Sequence, residues 1–191
     1  MLNNIEIKTS REIENKYYMQ PMLESIIKDL KNNKLNLQEV FSNLYGYLLN
    51  SKDAVERLLK ERVDRNEIKD ISQARKSIAG SAFSNLIIWV FLKNKESKNI
   101  DKDIFITNKI SQIPHFKDLF YIKVGEETQK PDVDLVIYRL DSKQNLVSCL
   151  ILSLKTSLRE RAGQTYKWKL PIQNLALRKN TTSSITHLFN L

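Results

Sequence analysis

With 191 residues, 41% hydrophobic and 28% charged, the chain is long enough for one domain with a real core and a smaller subdomain. Its net charge of +9 favours a polyanionic partner. Cys149 is the only cysteine and His115 and His187 the only histidines, which excludes an internal disulfide and a cysteine or histidine zinc site. The longest apolar run, Leu86 to Leu92, is too short to span a bilayer. Met1-Leu2-Asn3-Asn4 leads straight into charged residues without a signal-peptide pattern, so the expected location is the cytoplasm.

The first hundred residues read as helices. Thr9-Ser10-Arg11-Glu12 has the form of a capping box that would start one, and Pro21 would bend or divide it before Leu23, Ile26, Ile27 and Leu30. Asn36 and Glu39 repeat the start signal, after which Leu37, Val40, Phe41, Leu44, Leu48 and Leu49 recur at helical spacing. Ser51 opens a third helix with Val55, Leu58, Leu59 and Val63 as its buried stripe. These stripes are read as plain helical core. Asp70 through Asn94 is the longest helical candidate, with Ile71, Ala74, Ile78, Ala82 and Leu86 inward and Ala79-Gly80-Ser81 allowing close approach by a neighbour. Past Leu86 it is apolar on every side, as a central buried helix would be.

Asp101 to Ile106 fits a short strand or a helix start, and Pro114 breaks what precedes it. Phe120 to Val124 alternates as a strand ended by Gly125, placing Glu126 and Glu127 just upstream of Pro131. Pro131-Asp132-Val133-Asp134 then runs into the apolar Leu135 to Tyr138. The polar turn Asp141 to Asn145 joins this strand to a second, Leu150 to Leu154, ending on Lys155. Alternation puts Asp132 and Asp134 on one face, and Ser153 and Lys155 on one face with Cys149 and Ile151. Pairing of the strands would bring two carboxylates beside one ammonium. Carboxylates suit a hard divalent cation, and a lysine suits a water or a phosphate oxygen.

From Lys155 onward a helix is expected, with Ser157 and Glu160 as its capping box and Pro171 as its kink or end. Glu160 is explained as a capping acid. Arg159 and Arg161 are not, because positive charge in a first turn opposes the helix dipole by a few tenths of a kcal/mol each, up to about 1. A phosphate or guanine edge opposite them would account for both. Arginine donates bidentately to guanine O6 and N7, and glutamate accepts from cytosine N4. Residues 155–191 carry seven cations against Glu160 alone. Lys167 and Lys169, alternating with Tyr166 and Trp168, could lie along a phosphate backbone, although Trp168 suits a core better. Ser184 to Leu191 reads as one more strand.

Pro131-Asp132 with Ser153-Leu154-Lys155 resembles the two motif halves of the PD-(D/E)xK nucleases. Lys155 to Arg161 narrows the resemblance to type II restriction endonucleases of the CCGG group, including BsaWI-like enzymes, over positions 131–161. There Ser-x-Lys replaces acid-x-Lys, and an Arg-Glu-Arg triplet reads C:G pairs. The resemblance implies an α/β fold: a restriction-endonuclease-like mixed sheet flanked by helices over residues 69–191, preceded by a helical subdomain over residues 1–68. It also implies Mg²⁺ held by Asp132 and Asp134, with Asp132 first, and Lys155 activating the attacking water. Ser153 stands in the place of an acid, Glu126 or Glu127 is a further carboxylate, and Arg159, Glu160, Arg161, Lys167 and Lys169 lie on DNA. The implied partners are duplex DNA and a second copy of the chain, since two-fold proteins read palindromes. A cognate methyltransferase belongs to the same system without touching it. No membrane is involved. Because the chain stops within an expected strand, a short or truncated member is expected.

Two positions depart from the family pattern. Ser84 stands where a helix before the sheet carries an acid, in Ala79-Gly80-Ser81-Ala82-Phe83-Ser84. Tyr166 to Leu170 lacks the later glutamate that replaces the missing acid in the CCGG group. These departures keep a second reading open, a basic DNA-binding protein on a decayed nuclease scaffold. A third, a repair or RNA nuclease of the same fold, stays open because fold does not fix function.

Overall fold

In the computed structural model, the structure describes residues 1–114 and 133–154, together with the backbone of strands 122–124 and 127–129. The chain divides into two compact units, Met1–Lys102 and Asp103–Leu191.

The first unit is helical. Helix α1 spans Asn4–Glu14, α2 Gln20–Lys31, α3 Leu44–Asn50, α4 Lys52–Asp64 and α5 Ile71–Glu96. The start of α1 lies earlier than Thr9-Ser10 suggests, because Asn3 and Glu6 form a complete capping box. The Asn3 side chain accepts the Glu6 amide at 2.9 Å, and the Asn3 amide donates to Glu6 Oε2 at 2.9 Å. Ser10 therefore sits inside the helix, donating to Glu14 Oε1 at 3.2 Å. Pro21 divides the pattern as expected. A short 3-10 turn, Tyr17–Met19, precedes α2, and Pro21 occupies its first turn, where the missing N–H costs nothing.

Asn36 and Glu39 bond reciprocally, at 2.7 and 2.9 Å, but open a 3-10 helix, Glu39–Asn43, before α3. That tighter winding changes which side chains turn inward. Val40, Leu44 and Tyr47 are buried, while Phe41 and Leu49 are exposed, contrary to the even stripe expected of them. The Tyr47 hydroxyl donates to Asp29 at 2.9 Å; burial and this bond to a carboxylate push its pKa up to about 12. Helix α4 buries Leu59 fully and sets the Arg62 guanidinium 4.4 Å from the Tyr17 ring centre.

Helix α5 starts at the Asp70 cap, whose carboxylate accepts the Gln73 amide at 3.0 Å. From Leu86 to Leu92 it is buried around almost its whole circumference, with Leu86 and Val90 at 0% exposure. Each such side chain contributes roughly 1.5–3 kcal/mol to the folded state. At Gly80 an added Cβ would meet nothing within 4 Å, so the close approach expected there is not found among the described residues. The approach is made by the hydroxyl of Ser81, 3.0 Å from that of Tyr18.

Packing of α5 against α1 and α3 makes it part of the helical unit. The helical unit extends through Lys102. A buried ion pair ties α1 to α5. Lys95 Nζ donates to Glu6 Oε1 at 2.6 Å, with side-chain exposures of 1% and 7%. Glu6 thus spends one oxygen on capping α1 and the other on holding the C-terminal end of α5.

The second unit carries strands β1 (Ile104–Thr107), β2 (Ile122–Val124), β3 (Glu127–Gln129), β4 (Leu135–Leu140) and β5 (Leu146–Leu152). The order β1-β4-β5 is antiparallel throughout, and β2 pairs β3 antiparallel. Helices with a small antiparallel sheet are thus what is observed. The parallel pairing of a mixed sheet does not occur among the described strands. The ambiguity over Asp101 to Ile106 resolves as a strand, and a further short strand, β3, begins at Glu127. Phe105 pairs with Tyr138 and stacks on it, ring centres 5.5 Å apart. Ile110, Ile113 and Val136 form a small core, with Cys149 and Ile151 packed on it. The β4–β5 turn is set by Asp141, whose Oδ1 accepts the amides of Lys143 and Asn145, both at 2.8 Å. Gln144 takes a positive φ of 64° there.

Candidate active site

The described part of the candidate site is the open end of the β4–β5 ladder. The last paired residues are Leu135 and Leu152. Just beyond them the Asp134 amide donates to the Leu152 carbonyl at 3.2 Å. The Leu154 amide then donates to Asp134 Oδ2 at 2.6 Å, so a carboxylate takes the place of a main-chain acceptor. A carboxylate–amide bond this short is charge-assisted and stronger than a neutral one. Asp134 is half-buried, Ser153 exposed and Leu154 half-buried. Asp134 thus meets the main chain of the 152–154 segment, while the expected convergence of Asp132 and Asp134 on the Lys155 ammonium lies outside the described residues.

As a hard oxygen donor at a strand end, Asp134 has the chemistry a divalent cation requires. Among the described residues, no three acids, histidines or cysteines cluster in a way that could hold a metal. Glu126, Asp132, Lys155, Arg159, Glu160, Arg161, Lys167 and Lys169 lie outside the described residues. So do the helix and the strand expected after Lys155, with Trp168. Glu127 falls in β3, described as backbone only.

Sequence reasoning missed the amide of Leu154. A backbone donor carries no side-chain signature, and only the paired strands reveal it. Ser84, at the position of the absent acid, donates to the Ser81 carbonyl at 3.0 Å within α5. Cys149 sits on the small core, and burial pushes its thiol up to about 11, away from nucleophilic use near neutral pH. A cavity of about 540 Å³ in the helical unit, bordered by Leu23, Ile27, Leu30, Trp89, Glu14 and Lys93, holds none of the expected chemistry. Beside it the Glu14 carboxylate accepts from Trp89 Nε1 at 2.8 Å and lies 3.2 Å from the Lys93 ammonium. Burial raises the Glu14 pKa, and these two partners outweigh it, holding the group below the usual carboxylate range. Among the described residues no helix is long and apolar enough to cross a membrane.

Residues 112–188 match the family model described as BsaWI restriction endonuclease type 2. The matched segment contains Asp134, Ser153 and the whole 131–161 motif region. The chain is also similar to a Methanocaldococcus jannaschii protein named "Putative type II restriction enzyme MjaVIP", with 27% identity over 127 residues. That similarity covers 64% of this chain and 56% of the relative, so the chain spans little more than half of its relative's length. No solved structure matches the chain significantly.

Proposed function

We propose that this chain is a type II site-specific deoxyribonuclease, cutting duplex DNA at a palindromic site containing C:G pairs of the CCGG type. One observation carries the reading. The 112–188 match coincides with the ladder end where Asp134 meets the segment 152–154, immediately before Lys155. The similarity to the Methanocaldococcus jannaschii protein supports the same reaction class.

In this reading Asp132 and Asp134, with Glu126 or Glu127, would hold Mg²⁺, which would supply an acidified water and offset charge on the phosphate. Lys155 orients the attacking water and stabilises the negative charge that develops on the phosphoryl oxygens. The water oxygen bonds to phosphorus as the bond to one bridging sugar oxygen breaks, and that oxygen leaves with a proton. Ser153 occupies the place of the usual second acid without supplying a carboxylate. Arg159 and Arg161 donate to guanine edges and Glu160 accepts from cytosine, while Lys167 and Lys169 follow the phosphates. A homodimer places two such sites across a palindrome. The compartment is the cytoplasm, alongside a methyltransferase that protects the host sites.

The test is digestion of unmethylated plasmid with Mg²⁺, with EDTA, and with Asp132→Ala. Discrete fragments that vanish with EDTA and in the variant are expected. Smearing, or no cutting by the wild-type chain, would count against the proposal. A second reading, a DNA-binding protein on a weakened nuclease scaffold, is favoured by two missing acids: Ser84 stands where one is expected, and Tyr166 to Leu170 lacks the other. It predicts salt-sensitive binding to DNA without cleavage, weakened by Arg159→Ala.

A further inference from the structure

We propose that the cavity between α2 and the C-terminal half of α5 binds a small organic cation, a protonated amine on an apolar body. The cavity lies wholly within the helical unit, so the proposal is independent of the nuclease reading.

Size, floor and rim each narrow the ligand. A volume of about 540 Å³ is that of a small-molecule site. The floor is apolar. Leu23, Ile27 and Leu30 recur at helical spacing along one face of α2, and α5 contributes Trp89. Leu23 and Trp89 are buried, whereas Ile27 is 39% exposed, an apolar side chain left open to solvent. The rim is acidic: Glu14, Glu24 and Glu96 border the cavity against one cation, Lys93. This local excess of carboxylate runs against the chain's net charge of +9. It disfavours a phosphate or carboxylate ligand here and favours a cation.

Lys93 shows how a cation is held at this place. Its Nζ lies 3.2 Å from Glu14 Oε1, 3.5 Å from Glu96 Oε2 and 5.6 Å from the centre of the Trp89 ring. Trp89 donates its indole N–H to Glu14 Oε1 at 2.8 Å, so the carboxylate that meets the ammonium also fixes the ring. An ammonium near an aromatic face is a favourable contact, more so where water is excluded. Lys93 thus answers Glu14 and Glu96 together. Glu24 is exposed and has no hydrogen-bond or ion-pair partner among the described residues. The ligand's amine therefore belongs at Glu24, and its apolar body on Leu23, Ile27, Leu30 and Trp89. A neutral ligand would leave Glu24 unused, and a hydrated polycation would leave the floor unused.

The experiment titrates the full chain, without DNA or metal, with octylammonium, 1-octanol, octanoate and spermidine. Calorimetry measures binding, and the indole N–H resonance of Trp89, assigned with Trp89→Phe, reports where it occurs. Octylammonium is expected to bind and to shift that resonance. Binding of 1-octanol and of spermidine should each be about tenfold weaker, and that of octanoate weaker still. Glu24→Gln, at an exposed position, should weaken octylammonium about threefold. Lys93→Met should tighten it about threefold, because the competing ammonium is removed. If 1-octanol or octanoate binds as tightly as octylammonium, the cation requirement is overturned; if spermidine does, the apolar-body requirement is. A Trp89 resonance unmoved by octylammonium would overturn the site itself. So would a fall in oligomeric mass on Glu24→Gln, since a second copy of the chain would then cover the cavity. Cleavage enters none of these readouts, so failure of the nuclease reading leaves the test intact.

Discussion

The two units are held together by different physics. The helical unit buries α5 around most of its circumference and pins it to α1 with the Glu6–Lys95 pair, shielded from water. The described part of the sheet unit has short strands, a small cluster of Ile110, Ile113 and Val136, and a ladder that ends in a carboxylate–amide bond. Apolar burial gives the first unit its stability. In the second, local polar bonds fix particular atoms in place. The contrast separates substitutions that unfold the protein from substitutions that disable it.

The largest expected effect tests the helical side. Lys95→Met leaves the Glu6 carboxylate buried without its ammonium, which costs about 3–5 kcal/mol. Combining it with Glu6→Gln should return part of that loss, so the two changes will not add. Denaturant titration checks both, and the cleavage rate per folded molecule should stay unchanged. If Lys95→Met instead lowered cleavage at full stability, the separation of roles would fail.

A smaller effect tests the sheet side. Burial raises the Cys149 thiol from 9.0 to about 11. Its contribution is therefore complete below pH 9.0 and fades as pH rises from there to about 11, because the unfolded thiol ionises first. The loss is on the order of 2 kcal/mol. Cys149→Ala should flatten the alkaline limb of the stability profile. An alkaline limb unaltered by that change would show that Cys149 is not responsible.

The smallest effect concerns Glu14. Its carboxyl is held below the ordinary 4.5 by Trp89 and Lys93 against the opposing effect of burial. The stabilisation is present above 4.5 and disappears as pH falls through the lowered folded value. Trp89 fluorescence, followed down to that pH, should change in the wild type and lose that step in Glu14→Gln. Persistence of the step in Glu14→Gln would assign it to another group.

The helices were legible from the sequence wherever apolar spacing and caps agreed. The Asp70 cap and the apolar run after Leu86 define α5 within two residues at either end. Errors arose where two start signals compete, as Asn3 and Glu6 do with Thr9 and Glu12, because each is chemically adequate and packing chooses between them. The Glu6–Lys95 pair spans 89 positions, and nothing local marks either residue as buried. At the candidate site the strands, the polar turn and the position of Asp134 were readable from alternation and turn residues. What Asp134 bonds to was not, because its partner is a main-chain amide. Of the sequence-predicted site residues, Asp134 and Ser153 are the two whose side chains the structure describes, and it brings the first onto the backbone flanking the second.

The account stands or falls on Lys155, and the most direct measurement is cleavage of unmethylated duplex DNA by Lys155→Ala in Mg²⁺, with thermal melting recorded on the same sample. The account predicts fragment formation reduced by at least about a hundredfold with melting unchanged. A Lys155→Ala chain that cuts as fast as the wild type would contradict it.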